Sequence, residues 1–294
     1  MLRGYLGCLD FSLFTYNFLS CMNIGSDVLK RLNRPSPDSH KGQNGRVLII
    51  AGSHKYHGAL LLCVQAVSRI VDMVYVYTSE NNWPLIEQLK SETATFIAVH
   101  SGELERTVNL VDCIIIGPGL ETTDEFGEEV AEGNRNFVHE LLVKHSDKKF
   151  VVDATALWHV DANCLHKNCI VTPHSREFEA VFKMSPSAEN TQKAAQSFGG
   201  VVVLKGAVDA ISDGTQLYEN HSGNVGLTKG GTGDVLAGVI GGLASTNDNL
   251  IASLAGTYLV GLAGDRLFEK SGTFYNAEDV VKELGEVWGD RNIR

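Results

Sequence analysis

The chain has 294 residues, 44% hydrophobic and 20% charged, and 25 Lys+Arg against 35 Asp+Glu give it a formal net charge of −10. It therefore has the apolar material for a sizeable core. The acidic balance excludes broad binding to nucleic acid or to an anionic membrane, since both draw their affinity from Lys and Arg. A local phosphate site stays open, because backbone amides bind anions without net positive charge. Six cysteines (Cys8, Cys21, Cys63, Cys113, Cys164 and Cys169) with no C-x-x-C pair read as reduced thiols of a cytoplasmic protein. Cys164, His166 and Cys169 lie close together but lack a fourth ligand nearby, so no metal site is assigned.

Residues 1–22 are apolar and aromatic, but Asp10 interrupts the run and no Ala-x-Ala follows. They read neither as a signal peptide nor as a membrane span. They read as an N-terminal extension, with Met22 as an alternative start, ahead of a single domain over 23–294. Asn33–Asn44 (NRPSPDSHKGQN) is a loop rich in turn residues. Val47–Ala51, Met73–Thr78, a weaker Thr95–Val99, Cys113–Ile116, Phe150–Val152, Cys169–Val171, Val201–Leu204 and Ala210–Ser212 read as strands. Ala59–Val71, Glu125–His145, Glu177–Phe182 and Ala188–Phe198 read as helices between them. Short continuous Val/Ile runs are strands buried on both faces, and their alternation with helices implies parallel crossovers. The expected fold is α/β, a three-layer sandwich with a mainly parallel central sheet and helices on both faces.

Ligands of such folds bind beyond the carboxyl ends of the strands. That rule selects Gly52-Ser53, Gly117-Pro118-Gly119, Asp153, Pro173-His174 and Lys205-Gly206, each directly after an apolar run. The sharpest segment is Gly230-Gly231-Thr232-Gly233-Asp234, which runs into the apolar helix start Val235–Ile240. A glycine-rich turn entering a helix directs unpaired amides and a partial positive charge at an anion. No Walker A string occurs, and the loop lies too late in the chain for a dinucleotide fingerprint. Asp234 reads either as an N-cap or as a general base that takes a proton from a hydroxyl attacking the bound phosphate.

From Lys41-Gly42-x-x-Gly45-Arg46-Val47 and Tyr56-x-Gly58-Ala59 onward, the chain resembles the NAD(P)H-hydrate dehydratase family, which is ribokinase-like. Gly117-Pro118-Gly119, Val152-Asp153-Ala154-x-Ala156-Leu157, Thr172-Pro173-His174-x-x-Glu177-Phe178, Leu204-Lys205-Gly206 and Gly230–Gly238 follow in the family's order over about residues 24–290. The resemblance implies a lyase that repairs hydrated NADH or NADPH. ADP or ATP, with Mg2+, phosphorylates the extra ring hydroxyl, and phosphate then leaves to restore the coenzyme. It implies Asp234, Gly231 and Gly233 as catalytic. It assigns Lys205, Gly206, Ala207, Val208, Asp209 and Gly233 to the nucleotide, and Ala59, Gly119, His174 and Asp234 to the hydrated coenzyme. Glu177 has no assigned role, and Asp153 either positions phosphate or closes a turn. Glu121 stands where the family has Gly, and Asp209 where many members have Thr. A homo-oligomer and a separate NAD(P)H-hydrate epimerase are the expected partners. The rival reading is a ribokinase-like kinase of the hydroxymethylpyrimidine, thiazole or pyridoxal type, which stops after phosphorylation.

Overall fold

A computed structural model of the chain describes residues 21–53, 55–79, 82–121 and 128–290. Residues 1–20 of the expected extension, and the first three residues of the helix expected from Glu125, lie outside these. The described strands are β1 (Met22–Asn23), β2 (Arg46–Ile50), β3 (Met73–Tyr77), β4 (Ile97–Ala98), β5 (Cys113–Ile116), β6 (Lys149–Val152), β7 (Cys169–Val171), β8 (Val201–Leu204), β9 (Asp209–Ser212) and β10 (Leu217–Asn220). They form one sheet in the order β1-β10-β9-β8-β7-β6-β5-β2-β3-β4. Pairing is parallel from β8 through β4, and β9 runs antiparallel to β8 and β10. Met22, grouped with the extension in the sequence, pairs with Tyr218 at the far edge of the sheet.

Alternate residues of each strand face opposite layers. Val47, Ile49, Ile115, Val151, Ile170 and Val203 pack against one core, shared with helices α1 (His57–Val67), α8 (Thr232–Ala244), α9 (Asn249–Ser271) and α10 (Ala277–Gly289). Leu48, Ile50, Ile114, Ile116, Phe150 and Val171 face the other. That core is covered by α3 (Leu104–Leu110), α4 (Glu128–Lys144), α5 (Thr155–His159), α6 (Ser175–Phe182) and α7 (Ala188–Phe198). A further helix, α2 (Trp83–Glu92), precedes β4. Apolarity on both strand faces is thus met by two cores, and the expected three-layer arrangement is present.

Several elements differ from the sequence reading. The helix expected to run to Val71 ends at Val67, after which a turn leads into β3. The weak strand at Thr95–Val99 shrinks to Ile97–Ala98. Helices α2, α3, α5, α9 and α10 and the strand β10 go beyond the elements read from the sequence; of these, the short α5 and β10, Leu-Tyr-Glu-Asn with a half-polar pattern, carry no Val/Ile run. No helix among the described residues is long and apolar enough to cross a membrane.

Candidate active site

Because β2, β5, β6, β7 and β8 are parallel, their carboxyl ends deliver Gly52, Gly117, Asp153, His174 and Lys205 to a single edge of the sheet. β6, β7 and β8 are neighbours, so Asp153, His174 and Lys205 stand side by side at about strand spacing. Lys205 Nζ donates to Asp153 Oδ1 at 2.7 Å, with side-chain exposures of only 20% and 2%. His174 pairs with Lys205 as an isolated parallel bridge, and the Lys205 amide donates to the Pro173 carbonyl at 2.9 Å.

The glycine-rich segment meets this pair from the opposite layer. Gly231 has φ +94° and caps α8 in the left-handed region, where a Cβ would lie 2.5 Å from Leu62 and 2.9 Å from Ala277. Gly230 faces open space. A methyl built on Gly233 would lie 3.6 Å from Lys205 Nζ, so the ammonium sits directly over the first turn of α8. Helix starts leave backbone N–H groups without carbonyl partners, and here a half-buried cation is added to them. Amides, dipole and lysine together are the groups that anions are held by at helix starts.

Asp234 is the third residue of α8, inside the first turn and past the cap. The N-cap alternative is therefore corrected: Gly231 occupies the cap, and the carboxylate is left to face the cluster. Burial, and then the nearby Asp153 carboxylate, push its pKa up to about 7, with Lys205 pulling the other way. Glu177, also buried, is raised to about 7, first by burial, with Lys205 opposing and Asp153 and Asp234 adding to the rise. Burial works against the charge on Lys205, but Asp153, Glu177 and Asp234 outweigh it and raise its pKa. Three carboxylates thus share one ammonium, and a carboxyl whose pKa lies near neutrality is chemically suited to proton transfer.

The remaining expected residues fall into two groups. Ala59, in the first turn of α1, abuts Gly119, where a Cβ would meet Ala59 Cβ at 2.9 Å. Gly206, Ala207 and Val208 form the exposed turn between β8 and β9, beside a cavity of about 290 Å³. The Asp209 carboxylate does not join the Asp153, Glu177 and Asp234 cluster: it accepts the Gly206 amide at 2.9 Å and Asn220 Nδ2 at 3.1 Å, which closes that turn. Glu121 is one of the residues lining a smaller cavity of about 110 Å³ with Gly52, Leu120 and Phe137, and burial raises its pKa. A larger cavity of about 600 Å³ lies at the opposite edge of the sheet, lined by Gly42–Asn44, Asp112 and Thr246 among others.

Sequence reasoning left three features unassigned. The Asp153–Lys205 pair joins residues 52 positions apart; its one signal was that each directly follows a strand. Ala154 adopts φ +49° and ψ −127°, a conformation disfavoured for a residue with a Cβ. The Asp153 carbonyl just before it occupies the space a Cβ on Gly117 would take, at 1.8 Å. Finally, His174 and Glu177 close a reciprocal cap at the start of α6. His174 Nδ1 accepts the Arg176 and Glu177 amides, and Glu177 Oε2 accepts the His174 amide at 2.9 Å.

Comparison with known proteins decides the family. The model of the NAD(P)H-hydrate dehydratase family matches residues 47–286. The chain belongs to that family. The chain is 34% identical over 271 residues to an ADP-dependent (S)-NAD(P)H-hydrate dehydratase of Cenarchaeum symbiosum, covering 89% of this chain and 94% of that protein. It is also 34% identical over 271 residues to the bifunctional NAD(P)H-hydrate repair enzyme Nnr of Methanocaldococcus jannaschii, where 90% of this chain matches 52% of the relative. The chain thus spans about half the length of such bifunctional relatives. Among solved structures, a ribokinase-like protein of Enterococcus faecalis superposes with TM-score 0.79 at 25% identity, covering 90% of this chain and 94% of that one. The ADP/ATP-dependent NAD(P)H-hydrate dehydratase of Bacillus subtilis, co-crystallized with ATP/Mg2+, gives TM-score 0.74 at 28% identity, covering 94% and 99%. The fold is therefore ribokinase-like. In this NAD(P)H-hydrate dehydratase family member, the motif residues gather on one edge of the sheet.

Proposed function

We propose that the protein is a nucleotide-dependent hydro-lyase that restores hydrated NADH or NADPH, with ADP as the preferred phosphoryl donor. The single observation that carries this reading is the convergence of Lys205, Gly233 and Asp234: a cation and helix-start amides around one point, with a carboxylate of pKa about 7 beside it. Asp234 takes the proton of the ring hydroxyl as its oxygen attacks the terminal phosphorus of the nucleotide. The bond from that phosphorus to the leaving nucleotide breaks, and the electron pair goes to the nucleotide oxygen. Lys205 and the amides of Gly231 and Gly233 stabilise charge on the transferring group. In the second stage the ring C–O bond breaks with its electron pair on phosphate, and a ring proton is lost. Hydroxide is a poor leaving group and phosphate a good one, which is the reason for spending a nucleotide.

Lys205 with the Gly206–Val208 turn holds the nucleotide in this reading, and Ala59, Gly119 and His174 hold the hydrated coenzyme. The Asp209 carboxylate serves by shaping the turn. Mg2+ prefers phosphate oxygens and water, with at most one or two carboxylates. The acidic cluster suits such an ion carried in on the nucleotide, and no cage of three or more His, Cys, Asp or Glu is present among the described residues. When bound it would neutralise phosphate charge. Relatives named as bifunctional support a partnership with a separate NAD(P)H-hydrate epimerase, and we place the enzyme in the cytoplasm as a homo-oligomer.

The test mixes protein, Mg2+, hydrated NADH and either ADP or ATP, and follows the absorbance of NADH near 340 nm. Nucleotide-dependent appearance of NADH is the expected result. Phosphorylation of the substrate without release of NADH would replace this reading with the kinase one.

A further inference from the structure

Trp158 has no part in the chemistry above, yet 52% of it is exposed, in a chain whose other large side chains mostly fill its two cores. It sits on α5, five residues after Asp153, and that helix starts from the strained Ala154. Its ring stands edge-on to His174, with centroids 6.4 Å apart and planes at 63°. The polar atoms of His174 are already engaged. Nδ1 accepts the amides of Arg176 at 3.1 Å and Glu177 at 3.3 Å. The proton therefore resides on Nε2, which lies 3.3 Å from Glu177 Oε1. Burial, and then the Lys205 charge, lower the histidine pKa. What the 48%-exposed His174 side chain offers a ligand is a ring with fixed orientation more than a free hydrogen-bonding atom. The two exposed rings are set at an angle and form a corner, its His174 side bridged to Lys205, and flat heterocycles prefer offset or edge-to-face contact with such surfaces.

We propose that Trp158 is a substrate-binding residue which, with His174, forms an aromatic corner that receives a flat nitrogen ring of the dinucleotide substrate. This rests on the dehydratase reading, and it adds a contact outside the motifs that define the family resemblance. His174 is held from behind by Glu177, so the corner is built before substrate arrives, and Glu177 acts as a positioning residue.

The experiment is steady-state kinetics of the full chain with hydrated NADH and ADP or ATP, comparing wild type, Trp158→Ala and Trp158→Phe. Loss of one aromatic contact should raise KM for hydrated NADH about 3- to 10-fold in Trp158→Ala. The turnover number and the KM for nucleotide should stay within about 2-fold, and Trp158→Phe should recover most of the loss. Titrating hydrated NADH without nucleotide should quench tryptophan emission in wild type, and less so in Trp158→Phe. The proposal is overturned if KM for hydrated NADH stays within 2-fold in Trp158→Ala, if the nucleotide KM moves instead, or if quenching is equal in Trp158→Phe. A wild-type protein that turns over no hydrated NADH would overturn the dehydratase reading itself, a different outcome from an active enzyme indifferent to Trp158.

Discussion

Replacing Asp234 with Asn should make the protein more stable while nearly abolishing turnover. The carboxyl has a pKa of about 7 in the fold, against 3.8 in its ordinary state. The native state therefore holds a proton that the unfolded chain has lost over that window, and stability falls as pH rises through it. About 3 pKa units at 1.36 kcal/mol each set an upper bound of roughly 4 kcal/mol above pH 7. Partial exposure lets water screen the charge, so we expect about 2 kcal/mol. Asn has nearly the same shape and no charge to bury. At pH 8 the melting temperature of Asp234→Asn should exceed that of wild type by roughly 5 °C, and the gain should vanish near pH 4. Turnover should fall at least about 100-fold, the low end for loss of a general base. Thermal unfolding at pH 4, 6 and 8, paired with the NADH-release assay, measures both effects. A variant no more stable than wild type at pH 8, or stabilised equally at every pH, would refute the claim that Asp234 is ionised at a cost.

Wild-type activity should fall as pH drops below about 7, because the general base must be ionised, and the pH dependence of kcat over pH 5–9 checks this. Lys205→Met should raise the nucleotide KM at least about 10-fold, the scale of one charge-assisted contact. It should also move that acidic limb to higher pH, since Lys205 is what lowers the Asp234 pKa. Gly231→Ala should destabilise the fold by about 1–3 kcal/mol in chemical denaturation, because its φ of +94° and the Leu62 contact leave no room for a methyl. Ala154→Gly should do the opposite and stabilise it by about 1 kcal/mol by relieving the positive φ.

The strands that carry the site were legible because burial on both faces demands continuous Val and Ile, as in Ile114-Ile115-Ile116 and Val201-Val202-Val203. The glycine segment was legible for a local reason as well: a left-handed cap and a close approach restrict the residue type. What escaped depends on contacts between distant positions. Nothing near Asp153 announces Lys205, because the pair exists only once β6 and β8 flank β7. For Asp234 the sequence leaves cap and general base both open, because Asp caps many helices, and only the backbone places the cap one turn earlier, at Gly231. The strand β10 and helix α5 are short and mixed in pattern, so their periodicity was too weak to read. Trp158 was passed over for the same reason.

The Asp153 carbonyl fills the volume that a side chain on Gly117 would need. These two crossings of the sheet edge therefore cannot be redesigned independently. A library aimed at altering what this edge of the sheet accepts should keep that junction invariant and diversify Glu121, which borders a cavity of about 110 Å³, so that added atoms fill space instead of displacing the frame.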